Sequence, residues 1–240
     1  DIVTLNVEGT NDVRYYLRDK DGGITDGKMV KISIDTVAPA GEIRIKDNSF
    51  TGRLLNIVNF RYFFSRTVNV NITGADDTSG IDTIEYQKAA RTADYDKDGV
   101  WIKGSSLTVD PGEKFIIYAR ITDNAGHQTI INSDGIVVYT DVAAVSEMNF
   151  IKSSRENQDA GLTLNGNTVA EITKDGNRLE AGNYTVINDR LVFNADYLNS
   201  LEAGKHRLEV TYNPLGETFT TGESNGDTPQ TTTITLNVKK

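Results

Sequence analysis

The sharpest chemical spacing in this 240-residue chain is Asp94-Tyr95-Asp96-Lys97-Asp98-Gly99. Asp94, Asp96 and Asp98 set three carboxylates at alternate positions. The glycine that follows permits the turn of a Ca²⁺ loop, in which the Val100 carbonyl would coordinate. The twelfth position, where a bidentate Glu would close the shell, is Ser105. An acidic hairpin tip with an Asp-Gly turn explains the same residues, and it is the stronger reading because half a motif supplies too few hard oxygen ligands. Asp76, Asp77 and Asp82 crowd one further turn and Asp123 another. Loops gathered at one end of a sandwich would make these a second Ca²⁺ site, whereas Asp side chains bonding their own turn amides give the simpler account.

Sugar recognition in water calls for exposed aromatic platforms beside polar side chains. Trp101, the one Trp, directly follows the acidic tip and is the candidate ligand-binding platform; Tyr184, Tyr197 and Tyr212 are further options. Sandwich strands normally bury their aromatics, so each of these reads as core as well. Catalysis finds little support. His127 and His206, the two histidines, each sit beside a Gly-containing turn without a recognisable nucleophile partner. With 34 acidic residues, carboxylate pairs arise by chance, while glycosidic cleavage needs two at a defined separation. Phosphate loops, zinc-protease helices and serine elbows are absent from the sequence. Zero Cys removes thiol chemistry, disulfides and Cys-based zinc sites. The chain is expected to be no enzyme, with no catalytic residue and no cofactor beyond a Ca²⁺ ion at the acidic tip.

Charge and hydropathy narrow the partners. The net charge of −9 and a pI near 4.8 would repel a nucleic-acid backbone or an anionic membrane surface. No run of about 18 apolar residues exists, so no membrane-spanning helix is expected. Asp1 is not a start methionine, and the chain is expected to be a mature or excised segment.

The elements that must position these residues are strands. Val68-Asn69-Val70-Asn71-Ile72, Leu208-Glu209-Val210-Thr211-Tyr212 and, less strictly, residues 81–86 alternate apolar with polar, the mark of antiparallel strands with one face buried. Asp-Gly pairs at 21–22, 26–27, 98–99, 134–135 and 175–176 punctuate them as hairpin turns. Residues 194–201 predict one short helix with Asn194 as its N-cap. Residues 53–64 are an apolar stretch whose alternatives are a second short helix or edge packing. Asp19-x-x-Gly22-x-x-Thr25 recurs as Asp123-x-x-Gly126-x-x-Thr129, 104 residues on, a period of the size of an immunoglobulin-like sandwich. The first copy holds only closing strands, so residues 1–36 read as the tail of a truncated module. Asp35-Thr36-Val37-Ala38-Pro39 reads as a hinge. The modules are then 1–36, 37–141 and 142–240.

Asp35-Thr36-Val37-Ala38-Pro39, the turn Asp76-Asp77-Thr78-Ser79-Gly80-Ile81, Tyr86, and Tyr118-Ala119-Arg120-Ile121-Thr122-Asp123-Asn124-Ala125-Gly126 resemble bacterial Ig-like surface repeats, found in tandem in large exported Firmicutes proteins. Leu162-Thr163-Leu164-Asn165-Gly166-Asn167-Thr168, then Leu179-Glu180-Ala181-Gly182-Asn183-Tyr184-Thr185-Val186, Tyr197-Leu198 and Gly204, are similar to the X-two type of Ig-like module. That type accompanies cellulosomal scaffoldins and clostridial glycoside hydrolases and is associated with polysaccharide or cell-wall binding. The insert at 214–230, rich in Gly, Thr and Ser, departs from the pattern. These resemblances imply an all-β chain of tandem immunoglobulin-like β-sandwich modules, the first incomplete, in an extracellular or cell-surface protein. The implied role is a non-catalytic spacer and presentation segment, in contact with neighbouring modules of its own polypeptide. The alternatives are a module for cell-wall, plant or host polysaccharide centred on 142–240, and a protein adhesin that works by strand addition.

Overall fold

The alternating stretches are strands in the computed structural model, which describes residues 4–51, 58–89, 96, 98–219 and 231–240. Strands β1 (Gly9–Tyr15) and β2 (Lys28–Ile34) form an antiparallel hairpin with Gly9 opposite Ile34 and Tyr15 opposite Lys28. Tyr15, Met29 and Val30 on this two-stranded sheet, and Tyr16 and Leu17 just past β1, remain exposed. Beyond it, Arg18 bridges Ile24, and Asp19 Oδ1 accepts the amides of Asp21 at 2.9 Å and Gly23 at 2.7 Å. The same turn recurs 104 residues later. There Thr122 faces Gln128, and Asp123 Oδ1 accepts the amides of Ala125 and His127, both at 2.9 Å. The sequence repeat is therefore a repeat of side-chain-to-backbone bonds, since an Asp oxygen can take two amides of a turn that the strands leave unpaired.

The next sandwich has ten strands: β3 (Ala40–Ile45), β4 (Asn48–Thr51), β5 (Phe60–Phe64), β6 (Val68–Ala75), β7 (Ile81–Ala89), β8 (Ile102–Lys103), β9 (Ser106–Val109), β10 (Glu113–Asp123), β11 (Gln128–Asn132) and β12 (Gly135–Val138). One sheet runs β4-β3-β6-β9. The other runs β5-β12-β10-β7-β8, with β11 also on β10. Between them Ile43, Ile45, Val70 and Ile72 meet Ile117, Ala119, Ile121 and Ile131, all buried. Two sheets each burying one face is the stable solution for such patterning. Of the stretch 53–64, the described end is strand rather than helix. Phe60, Phe63 and Phe64 pack on the pleated surface while β5 pairs in parallel with β12. Asp134-Gly135 does not turn a hairpin either. A Cβ on Gly135 would lie 2.7 Å from Phe60 Cα and 2.8 Å from the Asn59 carbonyl oxygen, so this glycine serves the close approach of two backbones.

The last sandwich comprises β13 (Glu147–Ile151), β14 (Gln158–Thr163), β15 (Thr168–Lys174), β16 (Asn177–Arg178), β17 (Tyr184–Ile187), β18 (Arg190–Phe193), β19 (Gly204–Asn213) and β20 (Thr232–Lys239). Its sheets are β13-β20-β19-β15-β16 and β14-β18-β17. Phe150, Leu162, Ile172, Phe193, Leu208 and Leu236 fill the space between them. The predicted short helix is α1 (Ala195–Ser200), with Asn194 at the N-cap position. The Asn194 side chain does not cap it; its Nδ2 donates to the Gly182 carbonyl at 2.6 Å. Asn157 Oδ1 instead accepts the Ala195 amide at 3.0 Å, a cap delivered from 38 residues upstream that no local pattern reveals.

The two sandwiches meet at a dry joint. Phe60, Phe63, Val137 and Tyr139 form a buried cluster against Leu215 and Phe219, with the Phe63 and Phe219 rings 5.1 Å apart. Lys114 Nζ donates to Glu217 Oε1 at 2.9 Å and to the Leu215 carbonyl at 2.8 Å. Asn167 Nδ2 donates to the Thr140 carbonyl and Asn165 Nδ2 to the Asp141 carbonyl, each at 2.7 Å. Residues 214–219, which open the insert, thus fasten one sandwich to the other.

Candidate functional site

The edge of the last sandwich carries a groove. Asp175 and Gly176 adopt positive φ values of 50° and 84°, as a two-residue hairpin loop requires, and fold β16 back on β15 with Thr173 opposite Arg178. Asp175 locks that hairpin to β19: its Oδ1 accepts the Arg207 amide at 2.8 Å, and its Oδ2 faces Lys174 Nζ at 2.9 Å and His206 Nδ1 at 3.2 Å. The Arg207 amide, followed by the Lys174 and His206 contacts, holds the Asp175 carboxyl well below the ordinary carboxylate range. His206 Nε2 lies 3.0 Å from the Glu202 carbonyl, so both ring nitrogens are engaged in holding the fold.

Beside this hairpin lies a hollow of about 320 Å³ walled by Glu171, Arg178, Glu180 and Tyr184. A second hollow of about 370 Å³ shares Glu171 and Arg178 and continues past Thr211 and Asn213 to Phe219. Arg178 and Glu171 stand 3.6 Å apart on the shared wall, their side chains 77% and 45% exposed. Tyr184 is half-buried with its ring 6.5 Å from Phe193, a position that fixes its orientation. The groove therefore sets a guanidinium donor and carboxylate acceptors beside an aromatic wall. That combination suits a polyhydroxylated ligand, whose hydroxyls need both donors and acceptors and whose C–H faces need a ring.

Two of the other aromatic candidates, Tyr212 and Tyr197, are spent on packing. The Tyr212 ring is buried in the core. Tyr197 packs 6.4 Å from Phe193, and burial, aided by the Asp175 charge, pushes its hydroxyl pKa up to about 12. Trp101 is half-buried, with the Arg120 guanidinium 4.4 Å over its ring. Glu85 Oε2 holds that guanidinium at 2.7 and 2.9 Å, so one face of the indole is covered.

The acidic tip is arranged as a turn. Asp96 Oδ1 accepts the Asp98 amide at 3.0 Å, its carbonyl accepts the Gly99 amide at 3.2 Å, and both carboxylates are exposed. Asp94 lies outside the described residues. In the second acidic group, Asp76 Oδ1 takes the amides of Thr78, Ser79 and Gly80 at 2.7 to 3.1 Å. The Ser79 amide above all lowers the carboxyl pKa. Asp123 converges not with Asp77 or Asp82 but with Asp35 and His127. Its i,i+4 relation to His127 is visible in the sequence; its approach to Asp35 is a tertiary fact.

Among solved structures, similar chains include fibronectin(III)-like modules of Clostridium thermocellum CbhA, at 10% identity with 82% of this chain and 94% of that chain covered and a TM-score of 0.25. Another is the surface protein SGBP-B of a Bacteroides ovatus mixed-linkage glucan utilization locus, in complex with a mixed-linkage heptasaccharide. It is 12% identical, with 85% of this chain and 48% of that chain covered and a TM-score of 0.28. No curated protein matches the chain. A family model described as Carbohydrate binding domain X2 matches residues 144–221, the part of the chain that holds the whole groove.

Proposed function

We propose that residues 142–240 are a non-catalytic carbohydrate-binding module of an extracellular, multimodular protein. In this reading residues 37–141 are an Ig-like spacer that presents it, and residues 1–36 are the closing strands of a preceding module. The match of the carbohydrate-binding model to residues 144–221 carries the reading, and the groove of Glu171, Arg178 and Tyr184 within that span is the assigned binding surface. The ligand class is a polysaccharide: the groove is open at the sheet edge, and its exposed ion pair offers hydrogen bonds to successive sugar hydroxyls. The dry joint gives the spacer role a physical basis, since a buried aromatic and ionic contact holds the binding module at a fixed angle to its neighbour.

Affinity electrophoresis and calorimetry of the full chain against soluble β-glucans, xylan and peptidoglycan fragments test the assignment. Saturable binding to one of these, weakened about tenfold or more by Tyr184→Ala and by Arg178→Ala, is the expected outcome. Absence of binding across the panel, or binding that both variants leave intact, would sink it.

A further inference from the structure

The groove and the dry joint share a side chain. The two hollows of the groove have Glu171 and Arg178 in common; Tyr184 lines only the first, and Thr218 and Phe219 line only the second. Phe219 is also the ring that meets Phe63 of the middle sandwich. An aromatic residue thus stands on each side of a polar centre, and the second one is half-buried between groove and joint. The segment that carries Phe219 leaves β19 through a turn at Pro214–Gly216, in which Leu215 takes a φ of 45°. A side chain disfavours that left-handed conformation, so surrounding contacts have to hold it. From its own sandwich the segment receives Asn167, whose Oδ1 accepts the Leu215 amide at 3.1 Å. From the middle sandwich it receives Lys114, on the Leu215 carbonyl and on Glu217, and the buried cluster of Phe60, Phe63, Val137 and Tyr139 on which Leu215 and Phe219 pack.

From this we infer that Phe219 is a second sugar platform, that Phe63 is the positioning residue behind it, and that the site for a glycan of several sugars is therefore completed by the neighbouring sandwich. The inference rests on the carbohydrate-binding reading of residues 142–240. A short glycan fills the first hollow beside Tyr184. A longer one crosses the Glu171–Arg178 pair, which offers hydrogen bonds to its hydroxyls, and sets a further sugar against the Phe219 ring. The coupling is reciprocal: if a closed joint improves the grip on a long glycan, a bound long glycan closes the joint more firmly.

The test is titration of the full chain with disaccharides and hexasaccharides from β-glucan, xylan and peptidoglycan, by calorimetry and, for the weak short ligands, by amide shifts. Phe219→Ala and Phe63→Leu are the variants, with Lys114→Met to loosen the joint from its ionic side; melting curves establish that each is folded. Hexasaccharide affinity should fall about tenfold in Phe219→Ala and about threefold or more in Phe63→Leu and Lys114→Met, while disaccharide affinity stays as in wild type. The double variant of Phe63→Leu and Phe219→Ala should bind the hexasaccharide no worse than Phe219→Ala alone, because Phe63 acts through Phe219. Should Phe63→Leu fail to fold, Lys114→Met decides in its place. Hexasaccharide binding that Phe219→Ala leaves intact, equal losses for short and long ligands, or additive losses in the double variant would each overturn the inference and leave the carbohydrate-binding reading standing. Wild type that binds none of these glycans would end both.

Discussion

The Lys114–Glu217 pair puts a number on the dry joint. The Glu217 side chain is 6% exposed and that of Lys114 41%, so the carboxylate is in the protein while the ammonium is partly in water. Lys114→Met removes the amine from a carboxylate that water scarcely reaches. For a fully buried pair that change costs about 3–5 kcal/mol. Screening of the half-open Lys discounts it to about 1–3 kcal/mol. Glu217→Gln keeps an oxygen that can accept from Lys114 Nζ and should cost about 1 kcal/mol. The assay is thermal melting of the two single variants and the double variant, paired with ¹⁵N relaxation to see whether the sandwiches tumble together. A loss of several degrees in Lys114→Met, a coupling energy in the double variant and separate tumbling times are expected. If Lys114→Met melts within about a degree of wild type and the sandwiches still tumble as one body, the apolar cluster of Phe63 and Phe219 holds the joint alone and the ionic argument is wrong.

Three further predictions concern single contacts that hold the two sandwiches in shape. Gly135→Ala would force a Cβ to within 2.7 Å of Phe60 Cα, where only backbone could yield; a urea melt should show a loss of about 1–3 kcal/mol, and an unchanged midpoint would refute the close-approach reading. Asn157→Ala removes the cap of α1 and should cost about 1 kcal/mol, whereas Asn194→Ala leaves the Ala195 amide capped; equal effects on the helix in amide exchange would count against this division of labour. Asp175 has its folded-state pKa below the ordinary aspartate value of 3.8, so its contribution is fully present above that value and is lost as pH falls below it. Asp175→Asn should therefore flatten the acid limb of stability below about pH 4 and leave the slope at neutral pH alone; an unaltered acid limb would show that the carboxylate is not a fastener.

What the sequence made legible was decided locally. The alternation at 68–72 and at 208–212 is present as buried and exposed faces of β6 and β19, because a period of two leaves a strand one way to bury its apolar set. Asp175-Gly176 is a hairpin loop because both positions need positive φ. The same dipeptide at 134–135 is not, and only the neighbouring strand β5 decides that. The cap of α1 from Asn157, the cover of Arg120 over Trp101 and the meeting of Asp35 with Asp123 are likewise contacts between distant segments, on which spacing says nothing. One wall of the groove was within reach. Tyr184 stood among the candidate aromatics, whereas nothing local singles out Glu171 and Arg178, which only the β15–β16 hairpin sets side by side.

In the last sandwich the opening strand β13 and the closing strand β20 run in parallel, Glu147 beside Thr235 and Ile151 beside Lys239. A chain pulled from its two ends would draw these two strands lengthwise past each other. The evenly spaced bonds of a parallel ladder then share the load and must break together, rather than opening one at a time from an end. Such a sandwich should stretch a long way up the force axis before it yields, at a single high rupture in force spectroscopy, while the two-stranded hairpin at 9–34 would peel open first. Under the carbohydrate-binding role proposed for it, this sandwich would keep hold of a polymer under tension for as long as that ladder lasts.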